Sequence, residues 1–190
     1  MTAALLANDV TPEMRIGFGD EMLLSRHGTL SRVLAPRGIA VRQSVQGERE
    51  SVYLSLCVNG SAGTVNWAWI AGMHHTEIAR GVQRWQADGL EAVVWDNASS
   101  HRHAVVQAVG LPLIGQPPYS PELNPAERVF EELRKALRGK TFPRLEEKVL
   151  WVENTLRRWA ANPNNIKQLC GWDWIQEAIT ALKPERELAA

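Results

Sequence analysis

The feature that most constrains the fold is a run of four consecutive apolar residues, Ala92-Val93-Val94-Trp95. A strand with one face in water alternates apolar and polar residues, whereas a strand buried on both faces reads as a continuous apolar run. A short helical pattern over 101–109 and a second apolar stretch over 111–114 follow it. A strand–helix–strand unit of this kind joins parallel strands by a right-handed crossover. We therefore expect parallel strands in a sheet that is covered on both faces.

Three further strands are predicted upstream of this unit. Residues 13–24 read as a first strand, in which Gly17 and Gly19 share a face where another element can pack closely. Residues 51–58 and 64–71 each alternate apolar and polar side chains and are separated by a glycine-containing turn. The three segments together predict an antiparallel meander.

The remaining periodic segments are helical. Apolar residues recur at helical spacing in four stretches, 75–87, 125–138, 144–161 and 172–182. The order along the chain is therefore three antiparallel strands, helix, strand, helix, strand and helices. This order predicts an α/β domain of the ribonuclease H-like fold, a mixed five-stranded sheet flanked by helices. Because repeats and low-complexity linkers are absent from the sequence, we expect residues 1–190 to form a single domain.

The charge is zero overall but unevenly distributed. Residues 128–158 carry nine Lys and Arg against five Glu, and residues 26–50 carry five Arg against two Glu. The second segment contains what looks like an irregular, arginine-rich hairpin arm over 31–49. A basic face beside an acidic cluster suits metal-dependent chemistry on DNA, because phosphates require positive charge and metal ions require carboxylates. The alternative is an ordinary solvated helix face.

Several classes of protein are disfavoured by the sequence. The longest apolar stretches are shorter than the roughly 20 residues that span a bilayer, so we expect no membrane association. The first ten residues lack the basic flank and apolar core of a secretory signal. Cys57 and Cys170 form no CxxC pair, so zinc and redox motifs are absent. These features favour a cytoplasmic protein.

Three acidic residues occupy positions that such a fold would bring together. Asp20 lies on the first strand, Asp96 ends the buried fourth strand, and Glu127 begins a helix after the fifth. Ligands of open α/β sheets bind at the carboxyl ends of the strands. Neighbouring carboxylates repel unless a cation neutralises them, and oxygen ligands suit Mg²⁺ or Mn²⁺. Two such ions can perform phosphoryl transfer, with Asp20 bridging both and the other two acids each completing one site.

Each acid also has a structural interpretation. Asp20 could be a residue of a strand-end turn, and the adjacent Glu21 competes for its role unless strand alternation turns it to the opposite face. Asp96 could form an Asx turn. Glu127 could complete a capping box, because Asn124-Pro125-Ala126-Glu127 reads as N-cap, proline at the first helical position and glutamate at the third. Spacing alone leaves these alternatives open.

Two longer segments resemble a known family. Trp95-Asp96-Asn97-Ala98-Ser99-Ser100-His101 and Pro117-Pro118-Tyr119-Ser120-Pro121-Glu122-Leu123-Asn124-Pro125-Ala126-Glu127 closely resemble DDE transposases of the mariner superfamily, in its bacterial insertion-sequence branch. The first segment corresponds to the motif of the second catalytic acid and the second segment to that of the third. Gly19-Asp20-Glu21 resembles the motif of the first. The resemblance runs from about residue 14 to residue 142.

The resemblance implies a function and several partners. It implies metal-dependent cleavage at transposon ends followed by strand transfer into target DNA, catalysed by Asp20, Asp96 and Glu127. It also implies a homodimer that holds both ends. Members of the family carry an N-terminal helix-turn-helix DNA-binding region, and we expect none here because 19 residues precede Asp20. That reader would then be a missing N-terminal domain or a separate protein.

Five residues are candidates for contacts with DNA. Asn97 and His101 follow the second acid, and Arg128, Arg134 and Arg138 lie on the helix that begins near Glu127. His101 could instead be a structural residue at a helix start, and the arginines could pair with Glu131 and Glu132 on the helix surface.

Two departures from the family pattern and two rival functions remain. Thirty residues separate Asp96 from Glu127, a few fewer than in most relatives, and this predicts a shortened 101–110 helix and loop. Gln116 stands where relatives usually have an aliphatic residue. One rival function is a ribonuclease H-like nuclease or resolvase without strand transfer. The other is an inactive transposase remnant that binds DNA or dimerises.

Overall fold

The computed structural model describes residues 2–26, 35–39, 50–118 and 120–182. Its sheet has five strands in the order β3-β2-β1-β4-β5. The strands are β1 (Ile16–Ser25), β2 (Ser51–Asn59), β3 (Thr64–Ile70), β4 (Ala92–Trp95) and β5 (Leu113–Gly115). β1, β2 and β3 are antiparallel neighbours, whereas β4 is parallel to both β1 and β5. The predicted mixed five-stranded sheet and its antiparallel meander are confirmed.

Helices follow the order expected from the sequence, with two additions. They are α1 (Thr2–Leu6), α2 (His75–Ala87), α3 (Ala104–Gln107), α4 (Pro125–Leu137), α5 (Leu145–Ala160), α6 (Pro163–Cys170) and α7 (Asp173–Thr180). α1 and α6 were not predicted, and neither was a single 3₁₀ turn at Pro121–Leu123. α3 has four residues, in agreement with the predicted shortening of this helix.

Two hydrophobic clusters cover the two faces of the sheet. On one face, Trp85 of α2 packs with Val93 of β4. On the other face, Phe130 of α4 packs with Val94 of β4 and Phe18 of β1. β4 therefore contributes alternate side chains to both clusters, as its continuous apolar sequence predicted. Burial of a side chain as large as Phe130 contributes about 1.5–3 kcal/mol to folding.

The glycines of β1 allow α2 to approach the sheet closely. A Cβ atom added to Gly19 would lie 3.1 Å from Cη2 of Trp85, and one added to Gly17 would overlap Sγ of Cys57. The close packing predicted opposite the apolar face of β1 is therefore confirmed. Asp20, one residue further along, points to the opposite side of the strand.

The sequence also predicted an arginine-rich arm and no membrane association. The predicted arginine-rich arm over 31–49 lies outside the described residues except for 35–39, where the backbone N–H of Ile39 donates to the carbonyl of Pro36 in a turn. None of the helices in the described ranges is long and apolar enough to cross a membrane.

The contact at Gly17 predicts the effect of a substitution. Gly17→Ala introduces a methyl group against the fully buried Cys57, so we expect chemical denaturation to give a free energy of unfolding about 1–3 kcal/mol lower. The control is Gly72→Ala, because no atom of the described residues lies within 4 Å of a Cβ placed there. That variant should stay within about 0.5 kcal/mol of the parent. Equal effects of the two substitutions would contradict the close approach of Cys57 on β2 to Gly17.

Candidate active site

The parallel pairing of β1 with β4 places two of the three predicted acids at one edge of the sheet. Phe18 is in register with Val94, so Asp20 and Asp96 each lie two residues beyond the same pair. Both acids therefore lie just beyond the parallel-paired segment, with Asp96 directly after β4 and Asp20 within β1. The side chain of Asp96 is 55% exposed, whereas Asp20 is half-buried.

Asn124 connects the start of α4 to β1 beside Asp20. Its side-chain oxygen accepts from the backbone N–H of Ala126 at 3.0 Å, which is the predicted N-cap. Its amide nitrogen donates to the carbonyl oxygen of Gly19 at 3.0 Å. This second bond joins residues 105 positions apart and is buried. It holds the first turn of α4 against the strand that carries Asp20.

Glu127 does not form the capping box that was its structural alternative. In such a box its carboxylate would accept from the backbone N–H of Asn124. That N–H instead donates to the carbonyl of Pro121 at 2.9 Å. The Glu127 carboxylate lies 3.3 Å from the guanidinium of Arg134, two turns further along α4. An exposed ion pair of this kind is weak, so it leaves the carboxylate available to a ligand.

Asp20, Asp96 and Glu127 line one cavity of about 460 Å³. Pro117, Pro118 and Pro121 form part of the wall. Prolines restrict φ, so they stiffen the approach to the helix that carries the third acid. Within the described ranges, no three acidic, histidine or cysteine side chains converge closely enough to form a ready metal cage. The three acids share a cavity without being in mutual contact.

The negative charges of Glu127 and Asp96 repel that of Asp20. Burial is the largest cause that raises the pKa of Asp20, and repulsion from the carboxylates of Glu127, Glu21 and Asp96 raises it as well. The backbone N–H of Glu21 lowers it, and the net effect is a rise from 3.8 to about 7. Charges that repel across a shared cavity are stabilised by a cation placed between them. An all-oxygen set of donors matches the preference of Mg²⁺ and Mn²⁺. The residues present therefore fit a hard divalent metal.

Asp96 combines an Asx turn with a free carboxylate oxygen. Oδ1 accepts from the backbone N–H of Ala98 at 2.9 Å and lies 2.7 Å from Nδ1 of His101. The hydrogen bond from His101 is the main cause that lowers the pKa of Asp96, and the N–H of Ala98 adds to it, whereas burial opposes both. Asp96 thus forms the Asx turn that was its structural alternative, through Oδ1. No hydrogen bond from the described residues reaches Oδ2, which is left for a ligand.

His101 is buried between two carboxylates. Its side chain is 3% exposed, and Nε2 lies 3.3 Å from Oε2 of Glu21, whose side chain is 4% exposed. Burial alone lowers the pKa of His101, but the contacts with Asp96 and Glu21 outweigh this effect and raise it to about 9. The ring has almost no surface to offer to DNA in this arrangement, which favours the structural alternative for His101.

Glu21 points away from Asp20, as strand alternation predicted. Its Oε1 accepts from Oγ of Ser55 on β2 at 2.9 Å. Sequence reasoning did not identify Glu21 or Ser55 as partners of the site. The sequence feature that indicates a buried partner is Ser55, a polar residue on a strand face that it shares with Cys57. Both residues are fully buried, and a buried hydroxyl requires a hydrogen-bond partner.

The other predicted DNA contacts are all exposed, and Asn97 lines the cavity. Asn97 is exposed and donates from its side chain to the carbonyl of Gln116. Arg128, Arg134 and Arg138 are all exposed on or just after α4. Arg128 pairs with Glu131 as the alternative predicted, whereas Arg134 pairs with Glu127.

The fold and this site define a class of protein. Residues 15–148 match the family described as DDE superfamily endonuclease. The match covers more than half of the sequence, so the chain belongs to this family. Membership of the predicted DDE family is confirmed, while its mariner superfamily and bacterial insertion-sequence branch stay predictions. No curated protein sequence matches the chain significantly.

Solved structures of Mos1 transposase share the fold. The Mos1 strand transfer complex is 14% identical with a TM-score of 0.65, and the match covers 96% of this chain and 58% of the Mos1 chain. The Mos1 paired-end complex with the left transposon end is 15% identical with a TM-score of 0.64, covering 95% and 58%. The isolated catalytic domain of Mos1 mariner transposase is 15% identical with a TM-score of 0.52, covering 89% and 82%. The chain thus spans a little over half the length of the first two.

Asp20 should destabilise the metal-free protein. Because its folded pKa of about 7 lies above the ordinary 3.8, the folded state loses stability as pH rises from about 4 to about 7, and the loss is complete above that. Asp20→Asn removes the charge and keeps the acceptor for the N–H of Glu21. We therefore expect a higher Tm in EDTA at pH 8, with about 2–4 °C for each kcal/mol regained.

The pH profile is the internal control. The gain in Tm should grow between about pH 4 and pH 7 and stay constant at higher pH. Differential scanning calorimetry of both proteins over this range measures it. A variant that is less stable than the parent at pH 8, or a difference that does not depend on pH, would contradict the raised pKa of Asp20.

Proposed function

We propose that this chain is the catalytic domain of a DNA transposase that cleaves DNA and transfers the cleaved strand by metal-dependent phosphoryl transfer. The observation that carries the proposal is that Asp20, Asp96 and Glu127 line one cavity at the carboxyl edge of the sheet. Membership of the DDE superfamily endonuclease family supports the same chemistry. So do the similar structures of Mos1, which include a strand transfer complex and a complex with a transposon end.

The metal requirement is part of the proposal. Mos1 paired-end complexes have been solved with Mn and with Mg. In this chain Asp20, Asp96 and Glu127 would hold Mg²⁺ or Mn²⁺, and we propose two ions. When bound, such ions would supply Lewis-acid activation of a water or 3′-hydroxyl and stabilisation of the departing oxygen. The chain itself contributes three negative charges in fixed positions.

The residues around the cavity would bind and orient DNA. Asn97 and the exposed arginines of α4 lie beside the acids and can contact phosphate oxygens. Arg134 lies within ion-pair distance of Glu127 and could exchange that contact for a phosphate as Glu127 takes a metal. Transposon ends and target DNA are the proposed partners, and a homodimer would hold two ends together. Recognition of the end sequence would come from a helix-turn-helix domain or protein outside the 190 residues.

The three acids should be individually essential. Asp20→Asn, Asp96→Asn and Glu127→Gln each remove one negative charge with little change of shape. Each should reduce Mg²⁺- or Mn²⁺-dependent DNA cleavage more than about 100-fold, beyond the range typical for loss of an outer partner of a metal site. A gel assay on labelled DNA measures cleavage, and circular dichroism checks the fold.

A matched control and a second product complete this experiment. Asp88→Asn removes a carboxylate at the end of α2, where Asp88 pairs with exposed Arg84, and should leave cleavage unchanged. Full activity of the Asp96→Asn protein would refute the assignment of the metal site. Joined DNA products distinguish a transposase from the rival nuclease, which would yield nicks alone.

DNA binding by this chain should be weak, salt-sensitive and indifferent to sequence. Its net charge is zero, so attraction to DNA comes from local groups such as Arg128, Arg134 and Arg138. Three phosphate contacts predict that affinity falls about 40-fold between 50 and 200 mM salt, and Arg138→Ala should lower the salt dependence by about one contact. Fluorescence anisotropy with labelled duplexes measures both. Tight binding to one particular sequence at physiological salt would contradict this expectation.

A further inference from the structure

A series of three side chains, of which Glu21 and His101 are buried, runs from the far face of the sheet to the second acid. We define it as the Glu21–His101–Asp96 series. Nδ1 of His101 lies 2.7 Å from Oδ1 of Asp96, and Nε2 lies 3.3 Å from Oε2 of Glu21. The first contact has the length of a charge-assisted hydrogen bond, and Nδ1 also lies within hydrogen-bond distance of the backbone carbonyl oxygen of Asp96, at 3.5 Å. The second is an ion-pair contact without hydrogen-bond alignment, since Nε2 makes no directed hydrogen bond to the described residues.

The series is held in place on several sides. Oγ of Ser55 donates to Oε1 of Glu21 at 2.9 Å and fixes that carboxylate from β2. The ring of Trp95 stacks on the ring of His101, with centroids 3.8 Å apart and planes at 18°. A ring that is stacked and buried has little freedom to turn. The packing of the ring against the sheet therefore helps to fix the position of Nδ1.

The direction of the hydrogen bond at Asp96 follows from the chemistry of its partners. A carboxylate accepts hydrogen bonds and donates none, so Nδ1 of His101 carries the proton that it shares with Asp96. Glu21 at the other nitrogen attracts positive charge onto the ring. The result is that Oδ1 of Asp96 is occupied by His101 and by the N–H of Ala98, while Oδ2 has no partner among the described residues.

Stability alone is a poor explanation of this series. Enclosing the carboxylate of Glu21 and the imidazole of His101 costs desolvation energy that their attraction only partly returns, and apolar residues of similar size often stabilise a core equally well. By contrast, the carboxylates and histidines that ligate metals are themselves held by hydrogen bonds to outer groups, which fix their orientation. The series resembles such an arrangement in its geometry.

We propose that Glu21 and His101 are positioning residues of the metal site, which hold Oδ1 of Asp96 so that Oδ2 faces the cavity. This inference rests on the proposed function, because it requires Asp96 to be a metal ligand. β1 then serves the site twice. It presents Asp20 to the cavity on one face and supports Asp96 through Glu21 on the other.

Mn²⁺ binding to the protein without DNA tests the proposal directly. Electron paramagnetic resonance reports the concentration of free Mn²⁺, so it gives half-saturation independently of catalysis. Glu21→Ala and His101→Gln should each raise the half-saturating Mn²⁺ concentration about 10–100-fold. His101→Gln places its amide near the former Nε2 and leaves Asp96 without its donor.

Conservative variants should rescue binding if geometry is the cause. The amide nitrogen of His101→Asn lies near the former Nδ1 and can still donate to Asp96. The amide of Glu21→Gln can accept from Ser55 and donate to Nε2, which keeps the proton of a neutral ring on Nδ1. Both should bind Mn²⁺ within a few-fold of the parent. In cleavage assays Glu21→Ala and His101→Gln should require more Mn²⁺ with little change in the KM for DNA.

Glu153→Ala controls for loss of a hydrogen-bonded glutamate. Glu153 is partly buried and accepts from the indole N–H groups of both Trp67 and Trp69. It lies on α5, outside the cavity of the three acids. This variant should lose stability and keep the Mn²⁺ requirement of the parent. If Glu21→Ala fails to fold, the comparison of His101→Gln with His101→Asn tests the positioning role without it.

Two negative results have different meanings. If Asp96→Asn loses Mn²⁺ binding while a folded His101→Gln protein binds as the parent does, the series has no positioning role and the inference is overturned. If Asp96→Asn itself binds Mn²⁺ normally, the metal site is wrong and the proposed function fails with it. Equal weakening by His101→Asn and His101→Gln would also overturn the inference, because it would show that the donor position is irrelevant.

Discussion

The parallel pairing of β1 with β4 is the constraint on which the site depends. It is short, with three pairs from Ile16–Ala92 to Phe18–Val94, and it lies at the centre of the sheet. Because the two strands run in the same direction, their acids emerge side by side. The same pairing requires helices on both faces, since β4 is buried on each side. Fold and site therefore follow from one piece of backbone geometry.

The site works against the stability of the domain that carries it. Asp20 is half-buried near other acids, which raises its pKa to about 7. The structure opposes this repulsion with fixed contacts around the cavity. Asn124 holds α4 to the carbonyl of Gly19, and His101 holds one oxygen of Asp96. Repulsion between acids is expected at a site where a bound cation would neutralise them.

The sequence predicted the parts of the fold that depend on local periodicity. The limits of β4 and α2 were correct because a doubly buried strand and an amphipathic helix have distinct patterns. Long-range polar contacts could not be predicted in the same way. The bond between Asn124 and Gly19 spans 105 positions, and Asn124 read only as an N-cap. The contact of His101 with Glu21 depends on how the loop after β4 folds back beneath the sheet, for which periodicity carries no information. α6 was missed for a related reason, since its apolar residues are too few to show a helical repeat over eight residues.

The central claim is that Asp20, Asp96 and Glu127 hold divalent metal in their shared cavity. Anomalous diffraction from crystals soaked with Mn²⁺ tests it most directly, because the signal locates the metal without reference to activity. The account predicts two peaks in the cavity, each about 2.1 Å from carboxylate oxygens, with Oδ2 of Asp96 among the ligands. A cavity without an anomalous peak at saturating Mn²⁺, or a peak bound by other residues while Glu127 stays with Arg134, would contradict it.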